Sequence, residues 1–469
     1  MMPTYEELLQ ERDDLLRRVT EQECTILELG KRMAHLEKLI EELQRKGKRQ
    51  AAPFSKGEPK AAPKPPGRKP GAQYGQVATR PVPQRIDETL DVPCPLYCES
   101  CQGKVKPLGR ESQYQIDLPP ICPVTTEFVV HYGKCQDCGR RAQGRHPRQI
   151  SSALGVGKVQ LGPGVISWAA YLNKTGGLSY GKITDVFKEM ADLEVSRSAL
   201  CRGVSRLAKA AEPSYEELVE NVRGSKVVYP DETGWRIGGR KSWLWVFVTA
   251  DQTVYRIAKG RGYQEASHVL GEEYSGLIGS DGWAPYQRFA QAQRQTCLAH
   301  LLRRCREMKE VATDSAAQFP SEVQALLQAA LAVRDRREAQ QISLRGVKIA
   351  KGHLQARLAR LLACELIDPA NQRLAKHLRR HEDELFVFLD HPEVEATNWP
   401  AEQAIRPAVV NRKSCAGNRT DRGAHHQGIL MSVLRTARQR QLRPIDLMTN
   451  ILRNPYPRPH SALASPPPR

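Results

Sequence analysis

The strongest constraint on the fold is a series of short apolar segments between residues 226 and 280. Strand-type runs occur at 226–229, 243–249 and 253–258, followed by a helix-type segment near 264–270 and a buried strand at 277–280. The order is therefore β-β-β-α-β, and the strands alternate with helical pattern as in α/β domains. This order predicts a ribonuclease-H-like α/β domain.

Three acidic residues stand at informative places relative to these elements. Asp231 and Asp281 each close a strand-type run, and Glu402 opens a predicted helix. Asp231 and Glu232 are neighbours on extended chain, so their side chains face opposite ways and only one can join a given site; we assign Asp231. Each acid also has a plain structural alternative. Asp231 or Asp281 can belong to a turn, and Glu402 can pair with Arg406 four residues on.

Carboxylates that converge from distant stretches suit phosphoryl transfer on DNA. Such transfer uses two Mg²⁺ ions about 3.5–4 Å apart, one activating the attacking oxygen and one stabilising the leaving oxygen. Mg²⁺ prefers hard oxygen ligands, commonly a few carboxylates with water and phosphate. Asp231, Asp281 and Glu402 are thus the candidate catalytic residues and Mg²⁺ ligands, although their spacing alone does not exclude the structural alternatives.

Composition indicates a polyanionic partner. Lys and Arg number 71 against 52 Asp and Glu, a formal charge of +19. Each phosphate contact releases a counterion, which favours nucleic acid over an anionic membrane surface. No segment approaches the roughly 20 apolar residues of a membrane span, and residues 1–23 are too polar for a signal peptide. We expect a cytoplasmic, nucleoid-associated protein whose 12 cysteines are reduced, so clustered cysteines favour metal ligation.

The first 90 residues predict a coiled coil and a linker. Between residues 4 and 45, apolar residues recur at alternating steps of four and three, and Gln22 takes one core position. This pattern favours a coiled coil over 1–48 that joins two copies, the alternative being an amphipathic helix folded on its own domain. Residues 49–90 are basic and rich in Pro, so we expect a flexible linker that contacts phosphate or serves only as a tether.

Two closely spaced cysteine pairs indicate a zinc module at 91–150. The pairs are Cys98 with Cys101, and Cys135 with Cys138, each followed closely by a glycine. Thiolates two residues apart on a tight turn can bind one ion, and two such turns complete a tetrahedron. Four protein sulfurs leave no open position, so the expected Zn²⁺ is structural.

Residues 151–222 predict a helical DNA-binding domain. One helical pattern includes 179–187, and a second opens at Ser196, Arg197 and Ser198 after a short turn. This arrangement suits a helix-turn-helix, with Arg197 as a DNA contact. Pairs of short helices in enzymes can show the same pattern, which is the alternative.

The residues around the three acids form distinctive motifs. They are PDETGW at 230–235, SDGW at 280–283, CLAH at 297–300, and a stretch from 398 to 423 that contains AEQAIRP at 401–407. Together with the order of the modules, these motifs resemble the DDE transposases of bacterial insertion-sequence family sixty-six. The resemblance covers nearly the whole chain, including a short C-terminal tail at 441–469.

The resemblance implies positions for the catalytic residues. Asp231, Asp281 and Glu402 would be the metal-binding triad. They would lie in a ribonuclease-H-like catalytic domain at 223–440, with a helical insertion at about 303–395 before the final acid. The cofactors implied are two Mg²⁺ ions for catalysis and Zn²⁺ in the cysteine module.

Residues near Glu402 are candidates for supporting roles. Asn398 and Arg406 lie four residues to either side of it, so on a helix the three share a face. Asn398 and Arg406 would then orient Glu402 or contact DNA phosphate. Arg412 and Lys413 are further candidates for phosphate contacts, the alternative being a solvated basic helix end.

Other positions near these motifs have less definite expectations. His300 lies three residues after Cys297, a spacing that resembles a Cys/His element of several transposase groups. We expect a packed strand end with His300 facing the helical insertion. The chain departs from the family pattern at Trp399, where a second Asn is usual, and at 414–416, where aromatic residues are usual. These departures concern DNA contacts more than the acids.

Together these features predict a transposase that binds the terminal inverted repeats of its own mobile element. It would hydrolyse the phosphodiester at each end, and the freed 3′-hydroxyl would attack target DNA. Its partners would be DNA, a second copy through the coiled coil, and accessory proteins of the same element. Two alternatives are a ribonuclease-H-like nuclease without strand transfer and a catalytically inactive zinc-ribbon DNA-binding regulator.

Overall fold

The computed structural model describes residues 81–155, 159–312 and 315–454, together with isolated positions between 12 and 37. The chain divides into two compact units, residues 1–117 and 118–469. In the first unit, the described positions between 12 and 37 are helical and exposed. The rest of the predicted coiled coil, and the predicted linker up to residue 80, lie outside the described residues. The division at 117 falls inside the predicted zinc module.

The second unit contains a hairpin and a mixed sheet. Its strands in the described ranges are β1 Tyr132–Lys134, β2 Arg141–Gln143, β3 Val227–Ile237, β4 Arg240–Val248, β5 Thr253–Ala258, β6 Leu277–Ser280 and β7 Gln293–Thr296. β1 and β2 form the antiparallel hairpin. The others form one sheet in the order β5-β4-β3-β6-β7. β3, β4 and β5 are antiparallel, whereas β3, β6 and β7 are parallel.

The second unit also contains a series of helices. In the described ranges they are α1 Pro163–Lys174, α2 Tyr180–Ala191, α3 Arg197–Ala210, α4 Glu212–Arg223, α5 Tyr263–Leu270, α6 Leu298–Val311, α7 Gln318–Glu338, α8 Leu344–Ala363, α9 Pro369–Arg380, α10 Val387–Asp390, α11 Trp399–Cys415, α12 Asp421–Gln439 and α13 Pro444–Arg453. The α/β prediction is confirmed. None of these helices has the length and hydropathy that crossing a bilayer requires.

β3 is longer than its apolar pattern indicates. The prediction ended the strand at residue 229, but β3 pairs with β4 from Tyr229 as far as Ile237. Asp231 therefore lies within a strand rather than after one. Pairing with β6 stops at Val228, two residues before Pro230, which has no N–H to donate to a second neighbour. Cross-strand pairing extended the strand, which apolar patterning alone did not reveal.

The predicted helical domain shares a core with the five-stranded sheet. Ile166 of α1 and Leu200 of α3 belong to one buried cluster with Trp245 of β4, Leu430 of α12 and Met448 of α13. The boundary predicted at 222 is thus not a break in packing. The predicted tail from 441 also needs correction, because α13 packs its apolar face against this core.

Capping explains where the paired helices α2 and α3 begin. The Ser179 hydroxyl accepts from the Lys182 N–H at 3.3 Å, and the Ser196 hydroxyl accepts from the Ala199 N–H at 3.2 Å. Each cap satisfies one of the N–H groups that a helix start leaves free. The two helices predicted for a helix-turn-helix are therefore present; DNA binding by them stays a prediction.

Helix α12 covers the edge of the sheet that β5 forms. β5 is an edge strand, and its Tyr255 N–H donates to the Ser432 hydroxyl of α12 at 2.8 Å. Thr436 accepts from the Thr253 N–H in the same way at 3.1 Å. A Cβ at Gly428 would lie 2.9 Å from the Tyr255 carbonyl oxygen, so only glycine allows this approach. Side-chain hydroxyls thus occupy an edge that would otherwise attract another strand.

Helices α6 to α10 form the expected insertion between β7 and α11. They build a core of their own from residues such as Leu301, Leu327, Leu358, Leu374 and Phe388. A helical insertion was predicted at about 303–395, and in the structure the helices α6 to α10 lie between 298 and 390. The short 3₁₀ turn Glu382–Glu384 follows α9 and contacts β7.

Candidate active site

Sheet register brings Asp231 and Asp281 to the same height on neighbouring strands. Val228 of β3 is paired with Ile278 of β6 in parallel register. Each aspartate lies three residues beyond its member of this pair, and neighbouring strands run about 4.8 Å apart. Asp231, within β3, and Asp281, directly after the end of β6, therefore lie side by side on neighbouring strands. Asp281 is exposed, whereas Asp231 is partly buried.

His300 joins Glu402 to the two aspartates. β7 is paired with β6 up to Thr296, after which α6 begins and places His300 in its first turn. The His300 Nε2 lies 3.8 Å from Glu402 Oε1. Cys297, and then the charges of Asp281 and Glu402, raise the pKa of His300, and Asp231 interacts electrostatically with the same ring. The structure therefore brings all three predicted acids into one cluster around a histidine.

The neighbouring acids Asp231 and Glu232 face opposite sides of the sheet. Glu232 accepts from Arg261 Nε at 2.8 Å and from Tyr286 Oη at 3.3 Å. Arg261 itself is held between the rings of Trp243 and Trp283, 4.7 and 4.4 Å from their centroids. Glu232 is thus paired with a guanidinium on the other face, as the alternation of side chains along a strand predicts.

The electrostatics of the cluster disfavour several carboxylates ionised together. Burial, together with the charges of Glu232 and Asp281, raises the pKa of Asp231 to about 7. Burial also raises the pKa of Glu232, although Arg261 opposes this effect. The pKa of His300 is raised by its hydrogen bond with Cys297, against the effect of burial. Such a cluster attracts cations, because a divalent ion would relieve the repulsion between the acids.

The donor chemistry of the cluster fits Mg²⁺. Three carboxylates supply the hard oxygens that Mg²⁺ prefers, and this ion usually keeps several waters beside one or two carboxylates. In the described ranges, however, no three His, Cys, Asp or Glu side chains are arranged to hold one ion. In the described structure Asp231, Asp281 and Glu402 therefore do not form a closed coordination shell.

Asn398 connects the start of α11 to the strand that carries Asp231. Its Nδ2 donates to the Pro230 carbonyl oxygen at 3.0 Å, and its backbone N–H donates to Cys297 Sγ at 3.1 Å. The residue is 2 % exposed, so a contact with DNA phosphate is contradicted. Because Asn398 is held in place, it fixes the start of α11, and hence the position of Glu402, relative to Asp231.

The predicted DNA-contacting arginines differ in their surroundings. Arg412 is partly buried and donates to the carbonyl oxygen of Gly234 and to Thr233 Oγ1, which ties the end of α11 to β3. Arg406 and Lys413 are exposed on α11, and Arg197 is exposed at the start of α3. DNA contact by these four residues stays a prediction, and for Arg412 the observed bonds provide a structural role.

The two cysteine pairs adopt the same turn. The Cys98 N–H donates to the Gly103 carbonyl oxygen at 2.9 Å, and the Cys135 N–H donates to the Arg140 carbonyl oxygen at 2.8 Å. In each turn the residue after the second cysteine has positive φ, 59° at Gln102 and 69° at Gly139.

Backbone hydrogen bonds prepare the first thiol of each turn. The pKa of Cys98 is lowered chiefly by a hydrogen bond from the backbone of Ser100, and then by one from the backbone of Cys101. Backbone hydrogen bonds also lower the pKa of Cys135, chiefly from Cys138 and then Asp137. A thiolate prepared in this way is the form that binds zinc.

The insertion supports the loop that carries Asp281, which the sequence did not indicate. His381 is 2 % exposed, and its ring lies 3.4 Å from the place where a Cβ on Gly282 would stand. Its Nδ1 is 2.6 Å from Glu384 Oε2. Glu384 also accepts from Arg294 Nε at 2.7 Å and from Thr296 Oγ1 at 3.0 Å. The spacing of His381 and Glu384 was the only available signal, and it is too common to assign a role.

Comparison with known proteins gives one family. Residues 158–426, more than half of the chain, match the family model described as Transposase IS66 family. No curated protein matches the chain. The matched range includes Asp231, Asp281 and Glu402 together with the insertion.

Proposed function

Because the chain belongs to the IS66 family of transposases, we propose that it binds the terminal inverted repeats of a mobile element and carries out Mg²⁺-dependent strand cleavage and strand transfer there. The observation that carries this proposal is the convergence of Asp231, Asp281 and Glu402 around His300. The formal charge of +19 supports DNA as the partner.

The sheet topology supports a ribonuclease-H-like catalytic domain. Three antiparallel strands are followed by two parallel ones, and the first strand lies at the centre of the order β5-β4-β3-β6-β7. Asp231 in the first strand and Asp281 directly after the fourth strand are then neighbours in this sheet. Helix α11, which follows the insertion, carries Glu402 and packs against the face of the sheet on which Asp231 lies.

Each residue of the site has a distinct task in this mechanism. Asp231, Asp281 and Glu402 would hold the Mg²⁺ ions, which when bound activate the attacking oxygen and stabilise the leaving oxygen. Asp231 must lose its proton to act as a ligand. His300 places Nε2 beside Glu402, and the raised pKa of its ring favours the protonated form, which would balance the acids before the ions bind. Arg261 keeps the charge of Glu232 on the opposite face of the sheet.

Replacement of Glu402 by Gln, or of Asp281 by Asn, tests the catalytic assignment. We expect strand cleavage to fall at least about 10³-fold while binding of the terminal-repeat duplex stays close to wild type. The assay uses end-labelled repeat DNA with Mg²⁺, and Glu338→Gln, an exposed carboxylate of the insertion, is the control. Normal cleavage by either variant would remove that residue from the site.

Strand transfer is tested separately on DNA with a preprocessed 3′ end. Joined products with Mg²⁺ would support a transposase, whereas cutting without joining would favour a nuclease. Specific binding with neither reaction would favour an inactive DNA-binding regulator. The same substrate also measures whether accessory proteins of the element are required.

The cysteine turns are proposed to bind one structural Zn²⁺ through Cys98, Cys101, Cys135 and Cys138. Cys135→Ser is expected to reduce bound zinc from about one ion per chain to about zero and to weaken binding of repeat DNA, because the ion orders the module. Metal content by mass spectrometry and DNA binding by anisotropy measure both effects. Cys364→Ser, at an exposed cysteine outside the turns, should change neither; unchanged zinc in Cys135→Ser would contradict the assignment.

A further inference from the structure

The outer face of α11 combines the candidate catalytic glutamate with an indole and two cations. Trp399, Glu402, Arg406 and Lys413 follow one another at steps of three, four and seven residues, which keeps them on one side of a helix. The opposite side, with Ala401, Ala404, Ile405, Ala408 and Asn411, is buried. We call the first set, together with Val410, the α11 outer face.

The apolar members of this face are unusually accessible. Trp399 is 61 % exposed and Val410 is 51 % exposed. An indole usually contributes its large apolar area to a core or to an interface. Trp399 begins α11, one helical turn before Glu402, so its ring lies beside the candidate site rather than in the core.

The cations of the face are free to bind phosphate. In the described part of the chain, neither Arg406 nor Lys413 has an ion-pair partner, whereas Arg412 is engaged with β3. Arg406 lies about 6 Å and Lys413 about 16 Å beyond Glu402 along the helix axis, from a rise of 1.5 Å per residue. The two residues are therefore about 10 Å apart along the helix axis, so their side chains can contact different phosphates of one strand.

From this arrangement we infer that the α11 outer face binds an unpaired DNA strand, with a nucleobase stacked on Trp399 next to the scissile phosphate. The inference deepens the proposed function and rests on it. A duplex keeps its bases stacked on one another, so it offers no free base face to an exposed indole. An unpaired strand offers both parts that this surface matches, namely a base for Trp399 and phosphates for Arg406 and Lys413.

Binding of a 20-nucleotide oligo(dT) strand and of a 20-base-pair duplex of mixed sequence tests the inference. Anisotropy is measured on the full chain without divalent metal, so that cleavage does not interfere. Trp399→Ala is expected to weaken oligo(dT) binding about tenfold, since base stacking contributes at this scale, and to leave duplex binding unchanged. Trp399→Phe should restore most of the affinity because it keeps an aromatic face.

The cation and control variants complete the test. Arg406→Gln should lower the slope of log affinity against log salt by about 1 for oligo(dT), the effect of one lost phosphate contact. Ile367→Ala, an exposed apolar residue outside α11, should leave oligo(dT) binding unchanged.

Two results would overturn the inference. Unchanged oligo(dT) affinity in Trp399→Ala would show that no base stacks on this indole. Equal weakening of duplex and oligo(dT) binding would assign the face to duplex DNA. Cleavage of repeat DNA by the wild type is measured in parallel with Mg²⁺. Absence of cleavage with retained Trp399-dependent binding would contradict the proposed reaction rather than the stacking surface.

Discussion

Asp231→Asn is expected to make the metal-free protein more stable while abolishing strand cleavage. The pKa of Asp231 is raised from 3.8 to about 7 by burial and by the charges of Glu232 and Asp281. Ionising this carboxyl in the folded protein is therefore unfavourable, and Asn keeps the shape without the charge. Cleavage should fall at least about 10³-fold, because the variant lacks a proposed metal ligand.

The size of the stability effect of Asp231→Asn depends on pH. The folded-state pKa lies above the unfolded value, so the contribution of the protonated carboxyl is fully present below about pH 4. It is lost as pH rises through about 7, and the loss is at most about 4 kcal/mol above that pH. Asp231→Asn should therefore melt several degrees above the wild type at pH 8 in EDTA, and close to it at pH 4.

Scanning calorimetry at pH 4 and pH 8 measures this difference, with Glu338→Gln as an exposed control. Mg²⁺ should raise the melting temperature of the wild type at pH 8 and leave Asp231→Asn nearly unchanged, because ligand binding stabilises only a competent site. If Asp231→Asn is less stable than the wild type at pH 8, the ionised carboxyl does not destabilise the folded protein. The proposed metal site would then lose its main electrostatic support.

Glu384→Gln is expected to destabilise the insertion and to loosen the loop of Asp281. Burial raises the pKa of Glu384, but hydrogen bonds from His381 and Arg294 outweigh it and hold the pKa at about 2. Its side chain is 12 % exposed, so the ion pair with Arg294 is largely shielded from water. Removing the charge leaves Arg294 without its carboxylate partner, at a cost of about 3 kcal/mol.

The pH dependence here has the opposite sign to that of Asp231. The folded-state pKa lies below the ordinary value of 4.5, so the stabilisation is present above about pH 4.5 and is lost as pH falls towards 2. Urea unfolding should show a large deficit for Glu384→Gln at pH 7 and a smaller one at pH 3. Asp383→Asn, at the exposed neighbouring carboxylate, is the matched control.

Cleavage by Glu384→Gln should also decline at temperatures where the variant remains folded. His381 depends on Glu384 for its orientation and packs against Gly282, the residue after Asp281. Full stability at pH 7 would contradict the role of this buried pair. Loss of stability with unchanged cleavage would show that the insertion supports the fold but not the position of Asp281.

The sequence was most informative where local chemistry decides structure. Alternating and continuous apolar runs placed β4, β5, β6 and α5 close to their observed positions. The alternation of side chains on a strand also separated Asp231 from Glu232, which the structure finds on opposite faces. Such features depend on how side-chain directions repeat along a strand or a helix, and this repeat is visible in the order of residues.

Interactions between distant segments were less visible in the sequence. The length of β3 depends on pairing with β4, and the packing of α13 on α1 depends on a core assembled from both ends of the second unit. Arg412, a candidate for DNA contact in the sequence, donates to the backbone of β3. An exposed basic residue and one that fixes a helix to a strand have the same sequence signature, since only the neighbour differs.

The order of residues alone determined which acids to consider and which strand or helix presents each of them. Tertiary structure decided how they meet. The pairing of Val228 with Ile278 aligns Asp231 with Asp281, and the contact of His300 with Glu402 adds the third acid. The reason is physical: periodicity fixes the direction of a side chain within its own element, whereas register and packing fix which elements become neighbours.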